Sequence, residues 1–279
     1  MGALDADRGA ICQAELRLRP WATPHTAKLP GLSPVAPGDW FWFDDVFALQ
    51  MAYRDALIGE RRGTVHVLDE GARPAADELL DMVLTEVLAR PDYQRDEGDE
   101  GAAVIRPDGV RVALDRSDPL ATAGRLVQED LVLLEKRGEG AASGGEHVLT
   151  GAVLCFPASW TLAQKHGRPL AAIHGPVADY GGDMARRVQR LLDGLQPGRP
   201  IWRANALVYA DPELHQPRRE GEARALPPGT ARWLRSERQV LARLPKTGAV
   251  AFTIHTFVVP FEALNDEDRA RFEAQRPVT

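Results

Sequence analysis

Two short β-type runs flank a tight turn in Ala103-Val-Ile-Arg-Pro-Asp-Gly-Val-Arg-Val-Ala113. Pro107 presets φ for a turn and Gly109 accepts a positive φ, so this stretch predicts a β-hairpin. Periodicity predicts further strands at 64–68, 131–134, 148–156, 204–209 and 249–259, and helices at 44–59, 75–88, 159–166, 184–195, 230–244 and 265–275. Strands separated by helices, with one strong hairpin, favour an α+β fold with a largely antiparallel sheet.

The composition is that of a globular protein, with 279 residues, 44% hydrophobic and 27% charged. The 34 basic and 40 acidic residues give a net charge of −6, which disfavours nucleic acid as a partner. Cys12 and Cys155 are too few for a four-cysteine zinc or iron–sulfur site. Because neither a secretory signal nor an apolar membrane span is visible, we expect a cytoplasmic protein without membrane contact.

Proline spacing and polar stretches predict the domain organisation. Prolines interrupt the first 37 residues repeatedly, which predicts an extended N-terminal lead-in over 1–30 that lies on a core. We expect a single domain over 31–263 and a C-terminal helix or tail over 264–279. The polar stretches 95–101, 137–146 and 216–228 predict surface loops.

The predicted helix over 230–244 contains an unusual carboxylate. At about 100° per residue, one apolar stripe would include Trp233, Leu234, Val240, Leu241 and Leu244. Glu237 would lie near the middle of this stripe and Arg238 at its edge. Burial of a carboxylate is costly unless it is paired. The pattern therefore leaves two alternatives: a structural role for Glu237, in an ion pair with an arginine or as a cap on a loop, or a charged group that faces a polar cavity.

The histidines differ in their surroundings. His25, His147 and His166 fall in predicted loops or helix ends, and we expect them to be exposed. His255 shares one face of the predicted strand 249–259 with Thr253 and Phe257, which indicates either a packing layer or a pocket wall. His174 ends an apolar segment and precedes Gly175-Pro176, which keeps the chain extended. The residues alone leave open whether His174 is a core group or a ligand.

Six blocks carry a resemblance to a known family. They are Gln128-Glu-Asp-Leu-Val-Leu-Leu134, Cys155-Phe-Pro-Ala-Ser-Trp160, Lys165-His-Gly-Arg-Pro-Leu-Ala-Ala-Ile-His-Gly-Pro-Val177, Leu234-Arg-Ser-Glu-Arg-Gln239, Arg243-Leu-Pro-Lys-Thr-Gly248 and Phe252-Thr-Ile254. In this order, over roughly 31–262, the chain resembles the heme-dependent oxidative N-demethylase α-subunit-like family. Each block alone is weak, and the series of six makes the resemblance specific.

The resemblance implies a PAS-like fold, a curved antiparallel sheet flanked by helices with helical extensions, that encloses heme b. It implies that His174 is the proximal iron ligand, and that a small secondary amine loses a methyl group as formaldehyde in a reaction that uses O2. Electrons would come from flavin and iron–sulfur centres on reductase partner subunits. The family pattern leads us to expect Arg and Tyr at the positions of His255 and Phe257, so a different amine is expected if these positions face the heme.

On this interpretation several residues have roles at the heme. We expect Glu237 to hold the cationic amine and His255 to donate to a distal ligand. Arg235, Arg238 or Arg243 would bind a heme propionate or polarise bound O2, and we favour Arg238 as the catalytic arginine. Trp160 would form an apolar wall. Alternatively, the chain is a non-catalytic heme-binding sensor or carrier of the PAS-like type, or a structural subunit without heme.

Overall fold

The structure, a computed structural model, describes residues 11–27, 31–98, 101–138, 145–169, 173, 182–220, 222 and 226–275. Within these ranges the protein is α+β, with a large antiparallel sheet flanked by helices. In the described part of the chain, no helix has the length and apolar character that crossing a bilayer requires.

The elements have the following bounds. The helices are α1 (Pro24–Ala27), α2 (Phe47–Glu60), α3 (Arg62–Val65), α4 (Arg73–Leu88), α5 (Pro119–Gly124), α6 (Leu162–Lys165), α7 (Gly182–Gly194) and α8 (Asp266–Gln275). The strands are β1 (Ser33–Pro34), β2 (His66–Leu68), β3 (Gln94–Asp96), β4 (Ala103–Ile105), β5 (Arg111–Ala113), β6 (Asp130–Arg137), β7 (Glu146–Val153), β8 (Ile201–Tyr209), β9 (Trp233–Arg243) and β10 (Val250–Pro260).

Among the described residues, seven strands form the main sheet in the order β1-β8-β9-β10-β6-β7-β2, and three form a small sheet in the order β3-β4-β5. All the pairings are antiparallel. The predicted hairpin is confirmed as β4 and β5, with φ of 79° at Gly109. The predicted helices at 44–59, 75–88, 184–195 and 265–275 and the predicted strands of the main sheet are confirmed with small shifts of their ends.

The predicted helix over 230–244 is wrong, because Trp233–Arg243 is strand β9. Its side chains pair residue by residue with β8 and β10, so the supposed helical stripe is divided between two faces of the sheet. Two smaller corrections concern lengths: the predicted helix 159–166 is limited to α6, and β3 extends into the predicted loop 95–101. For β9, pairing with the neighbouring strands β8 and β10 outweighs local helical periodicity.

The main sheet packs on both of its faces. One face, which we call the core face, lies under α2, α4 and α5 and carries Leu131, Leu133, Val240, Ala242 and Ala251. The other, which we call the α7 face, packs against α6 and α7. It carries Val132, Leu134, Leu149, Leu241, Val250 and Phe252.

The predicted lead-in contacts the sheet where the structure describes it. The backbone N–H of Gln13 donates to Val258 O on β10 at 3.1 Å, and Val258 N–H donates to Gln13 Oε1 at 2.8 Å. Further along, Trp21 is buried and its Nε1–H donates to Asp268 Oδ1 on α8 at 2.9 Å. The segment that contains Gln13 and Trp21 is thus held against β10 and α8. The domain limits at 30 and 263 stay a prediction.

Gly124, the last residue of α5, provides a test of the packing between this helix and β7. A Cβ at this position would lie 2.7 Å from Val153 Cγ1, whereas a Cβ at Gly59 in α2 would meet nothing within 4 Å. Because overpacking forces side chains and backbone to shift, Gly124→Ala should lower the free energy of unfolding by about 1–3 kcal/mol. The matched variant Gly59→Ala should be neutral or stabilise by up to about 1 kcal/mol. Urea unfolding followed by circular dichroism measures both, and equal effects would contradict the packing.

Candidate functional site

An apolar row crosses the middle of the α7 face, and we call it the floor. Ile201, Leu241, Phe252 and Val132 lie in register on β8, β9, β10 and β6. At about 4.8 Å between strands, the row spans roughly 14 Å. The first three side chains are only half-buried, although the same strands bury their core-face side chains almost completely. The floor is therefore a flat apolar row whose side chains are partly accessible.

Trp160, predicted as a wall residue, packs against the apolar cluster that includes the floor. The preceding residue, Ser159, has a φ of 65°, which is uncommon for a residue other than glycine. Its backbone N–H donates to Gln216 O at 3.2 Å, and its Oγ lies 3.2 Å from Tyr209 Oη. Such a conformation costs about 1–3 kcal/mol and clusters at functional sites. Here it marks the turn that places Trp160 at the edge of the floor.

Ile173 belongs to the same apolar cluster, on the segment that follows α6. Lys165 Nζ donates to Ile173 O at 2.6 Å and to Glu220 Oε1 at 2.5 Å. This hydrogen bond from Lys165 lowers the pKa of Glu220. The lysine thus fixes the chain at Ile173 beside the floor. His174, the predicted iron ligand, is the next residue in the sequence and lies outside the described residues.

Glu237 lies on β9, on the same face as the floor, and is buried. Its Oε1 accepts from Arg235 Nε at 3.1 Å, while its Oε2 accepts from Asn205 Nδ2 at 3.3 Å and from Gln239 Nε2 at 3.1 Å. Arg235 also donates to the carbonyl oxygens of Leu214 and Phe156. Of the two alternatives left by the sequence, the structure shows the ion pair with an arginine.

Arg243 lies at the other end of β9 and holds the end of α7. Its guanidinium donates to the carbonyl oxygens of Leu192, Leu195 and Gly248. Leu192 is in the last turn of the helix, where carbonyl groups have no intrahelical donor. Three of the five N–H groups of Arg243 are thus used to fix α7 over the sheet, which leaves two for another partner.

His255 and Arg238 face the other way. They pair across β10 and β9 on the core face, one residue along from Thr256 and Glu237, which pair on the α7 face. Arg238 donates to Trp40 O at 2.8 Å and to Asp39 O at 2.7 Å, and its guanidinium lies 4.4 Å from the Trp42 ring centre. The structure therefore does not bring the three predicted catalytic residues together, because the sheet separates Glu237 from His255 and Arg238.

The His255 ring lies between two carboxylates. Its Nδ1 is 3.1 Å from Glu129 Oε1 and its Nε2 is 3.2 Å from Asp44 Oδ2, and the side chain is 1% exposed. Burial alone would lower the pKa of His255, but the charges and hydrogen bonds of Glu129 and Asp44 outweigh it and raise the pKa to about 9. Glu129 Oε1 also accepts from Trp42 N–H at 2.8 Å, so a charged imidazole links β6, β10 and the segment before α2.

The prediction that His147 is exposed is wrong, because it lies on β7 with 1% of its surface accessible. The strand begins at Glu146, two residues before its predicted start, and this places His147 on the α7 face with Leu149. The alternation of His147 with Leu149 is the sequence signal that indicates a buried histidine here. His25 is exposed as predicted, whereas His166 is partly buried and lies 2.7 Å from Asp69 Oδ1.

Two features of the α7 face suit a heme. The floor offers apolar contact to a planar ring, and His147 Nε2 is a buried polar atom on the same face with no hydrogen-bond partner among the described residues. In the described ranges, no group of three His, Cys, Asp or Glu side chains is placed to hold a metal ion.

The charged state of His255 predicts a pH dependence of stability. Between pH 6.5, where an unfolded histidine titrates, and about 9, the folded protein keeps a proton that the unfolded chain has lost. Stability from this group is therefore complete below pH 6.5, falls as the pH rises, and is lost above 9, a total of about 3 kcal/mol. Urea unfolding at several pH values should show this slope in the wild type and a smaller one in His255→Gln. Equal slopes would mean that His255 is neutral.

The sequence of the protein was compared with models of known families. The model described as "Haem-dependent oxidative N-demethylase, alpha subunit-like" matches residues 31–275, which is most of the chain and includes every described strand of both sheets. This confirms the resemblance carried by the six blocks. The protein belongs to the heme-dependent oxidative N-demethylase alpha-subunit-like family.

Proposed function

We propose that this protein is the heme-binding subunit of an O2-dependent amine N-demethylase. The family supports the reaction class. The observation that carries the proposal is the half-buried floor beside Ile173, because the predicted iron ligand His174 follows Ile173 directly in the sequence. An antiparallel sheet that binds its ligand on one face is also typical of the PAS-like fold that we propose for residues 31–263.

Several residues of this chain would hold heme b. His174 would bind the iron through an imidazole nitrogen, the usual protein ligand of b-type heme. The floor and Trp160 would contact the flat faces of the ring, since both lie in one apolar cluster. Lys165 would fix the carbonyl before His174 and so orient the backbone that carries the ligand.

Bound heme would supply the iron at which O2 is activated. Overall, a methylamine, O2, two electrons and two protons give the demethylated amine, formaldehyde and water. The methyl carbon is oxidised and O2 is reduced. Because Cys12 and Cys155 are too few to hold an iron–sulfur cluster, the electrons would come from flavin or iron–sulfur centres on partner subunits, in keeping with a chain that resembles an alpha subunit.

Glu237 would hold the substrate. Small amines are cations near neutral pH, and Glu237 is a buried carboxylate on the same sheet face as the floor. Arg235, Asn205 and Gln239 fix its orientation and leave its Oε1 with a further lone pair. His255 and Arg238 would act from the core face, by holding the two strands between which Glu237 and Thr256 pair.

An absorption spectrum tests the heme proposal. Purified protein supplied with heme should show a Soret band that His174→Ala abolishes or shifts. His66→Ala is a matched control, because His66 is a partly buried histidine of another strand, bonded to Asp118. A wild type that binds no heme would overturn the proposal, and a band that is unchanged in His174→Ala would mean that another residue binds the iron.

Turnover separates an enzyme from a heme sensor or carrier. With a chemical reductant, O2 and a panel of methylamines, the heme-loaded protein should release formaldehyde. Glu237→Gln should raise KM for the amine about 10-fold or more, because a charged hydrogen bond is lost, while heme content stays unchanged. The exposed Glu262→Gln is the control. Heme binding without formaldehyde from any amine would favour the sensor or carrier.

A further inference from the structure

His147 is held in one orientation by a residue of α7. Its backbone N–H donates to Gln189 Oε1 at 3.2 Å, which turns the amide nitrogen of Gln189 toward the ring, 2.9 Å from His147 Nδ1. The same amide nitrogen, which has two protons to share among its neighbours, also lies 3.3 Å from Gly145 O and 3.2 Å from Asp193 Oδ1. Because an amide nitrogen only donates, Nδ1 of His147 accepts, and the proton of the neutral ring lies on Nε2.

The Nε2–H group of His147 has no acceptor. The side chain is 1% exposed, and Nε2 is a buried atom without a hydrogen-bond partner. Buried polar groups in folded proteins are almost always paired, since an unpaired donor loses its bonds to water without replacement. His147 Nε2–H is thus a buried donor in a fixed position that has no hydrogen-bond acceptor.

The surroundings of His147 favour an anionic acceptor. Burial is the main cause that lowers the pKa of His147. The hydrogen bond with Gln189 and the charge of Asp193 raise it, and the charges of Arg243 and Lys136 lower it. Arg243 has two N–H groups beyond those that hold α7. The acid in this region, Asp193, is occupied by Lys136 at 3.1 Å and by Gln189. A carboxylate at His147 Nε2 would meet a neutral donor, with two cations, Arg243 and Lys136, and one acid nearby, Asp193, whose Oδ1 lies 4.0 Å from the other ring nitrogen, Nδ1.

The position of His147 relates it to the floor. Arg243, Val250, Leu134 and Leu149 form the next row of the α7 face, one pair of residues beyond Leu241, Phe252 and Val132. His147 lies two residues beyond Leu149 on β7, roughly 7 Å further along. Glu237 lies on the opposite side of the floor, four residues before Leu241. A planar ligand on the floor would therefore have a cationic edge near His147 and an acidic edge near Glu237.

We propose that His147 binds a carboxylate of the bound cofactor, a heme propionate, by donating its Nε2–H, on the sheet face that also carries Arg243. This inference rests on the proposed function, because it requires heme on the α7 face. It assigns a binding role to a residue that lies outside the six sequence blocks. It also orients the ring: the propionate edge would lie on the His147 side of the floor, away from Glu237.

Esterified heme provides the decisive comparison. His147→Phe should weaken binding of heme b about 10-fold or more, because a hydrogen bond to a charged group is lost. The same variant should bind heme dimethyl ester, which has no propionate charge, as tightly as the wild type does. Soret titrations measure all four affinities. His66→Phe, which removes a partly buried histidine bonded to Asp118, is the control.

Two results would overturn the inference while leaving heme binding intact. Unchanged affinity of His147→Phe for heme b would mean that Nε2–H bonds only to water, and an equal loss for heme and its ester would mean a purely structural role. If the variant does not fold, ¹⁵N-labelled wild type decides the question: the His147 Nε2–H signal should shift with zinc protoporphyrin IX and not with its dimethyl ester. Failure of the wild type to bind any porphyrin would instead overturn the proposed function itself.

Discussion

The antiparallel register of β9 and β10 decides the chemistry of each sheet face. Eleven residue pairs, from Arg243 opposite Val250 to Trp233 opposite Pro260, fix which side chains point to α7 and which to the core. A slip of one residue would exchange the two sets completely. It would move Glu237 to the core face and Arg238 to the α7 face. This pairing therefore keeps His255 and its two carboxylates, Glu129 and Asp44, on one face and the apolar floor on the other.

Three arginines of β9 hold separate segments against the sheet. Arg235 binds the carbonyl groups of Phe156 and Leu214, Arg238 those of Asp39 and Trp40, and Arg243 those of Leu192 and Leu195. A planar guanidinium with five donors can satisfy several carbonyl groups at fixed angles. Asp39 and Trp40 lie beside Trp42, whose ring contacts His255, while Leu192 and Leu195 pack on the α7 face. The arginines thus build the frame around the site, and most of their hydrogen bonds are already used within the protein.

Local signals predicted much of the fold. The Pro-Asp-Gly turn and the apolar periodicity of α2, α4 and α7 are properties of neighbouring residues, and they gave correct elements. The prediction for residues 233–243 was wrong because the apolar residues there recur at helical spacing. The strand is imposed by pairing with β8, which lies well before it in the chain, and with β10, which follows it. The spacing of apolar residues within one segment contains no information about such pairing partners.

The candidate site was only partly predictable for the same reason. A carboxylate among apolar residues was a correct sign that Glu237 is buried, and a paired arginine was one of the two explanations. The sequence could not show that His255 faces away from Glu237, because that depends on strand alternation in a segment taken for a helix. For His147 the sequence offers only its alternation with Leu149, because the packing of α7 across β7 that encloses the ring is a contact between distant segments. Side chains that act together here belong to different strands, so their grouping follows from register rather than from spacing along the chain.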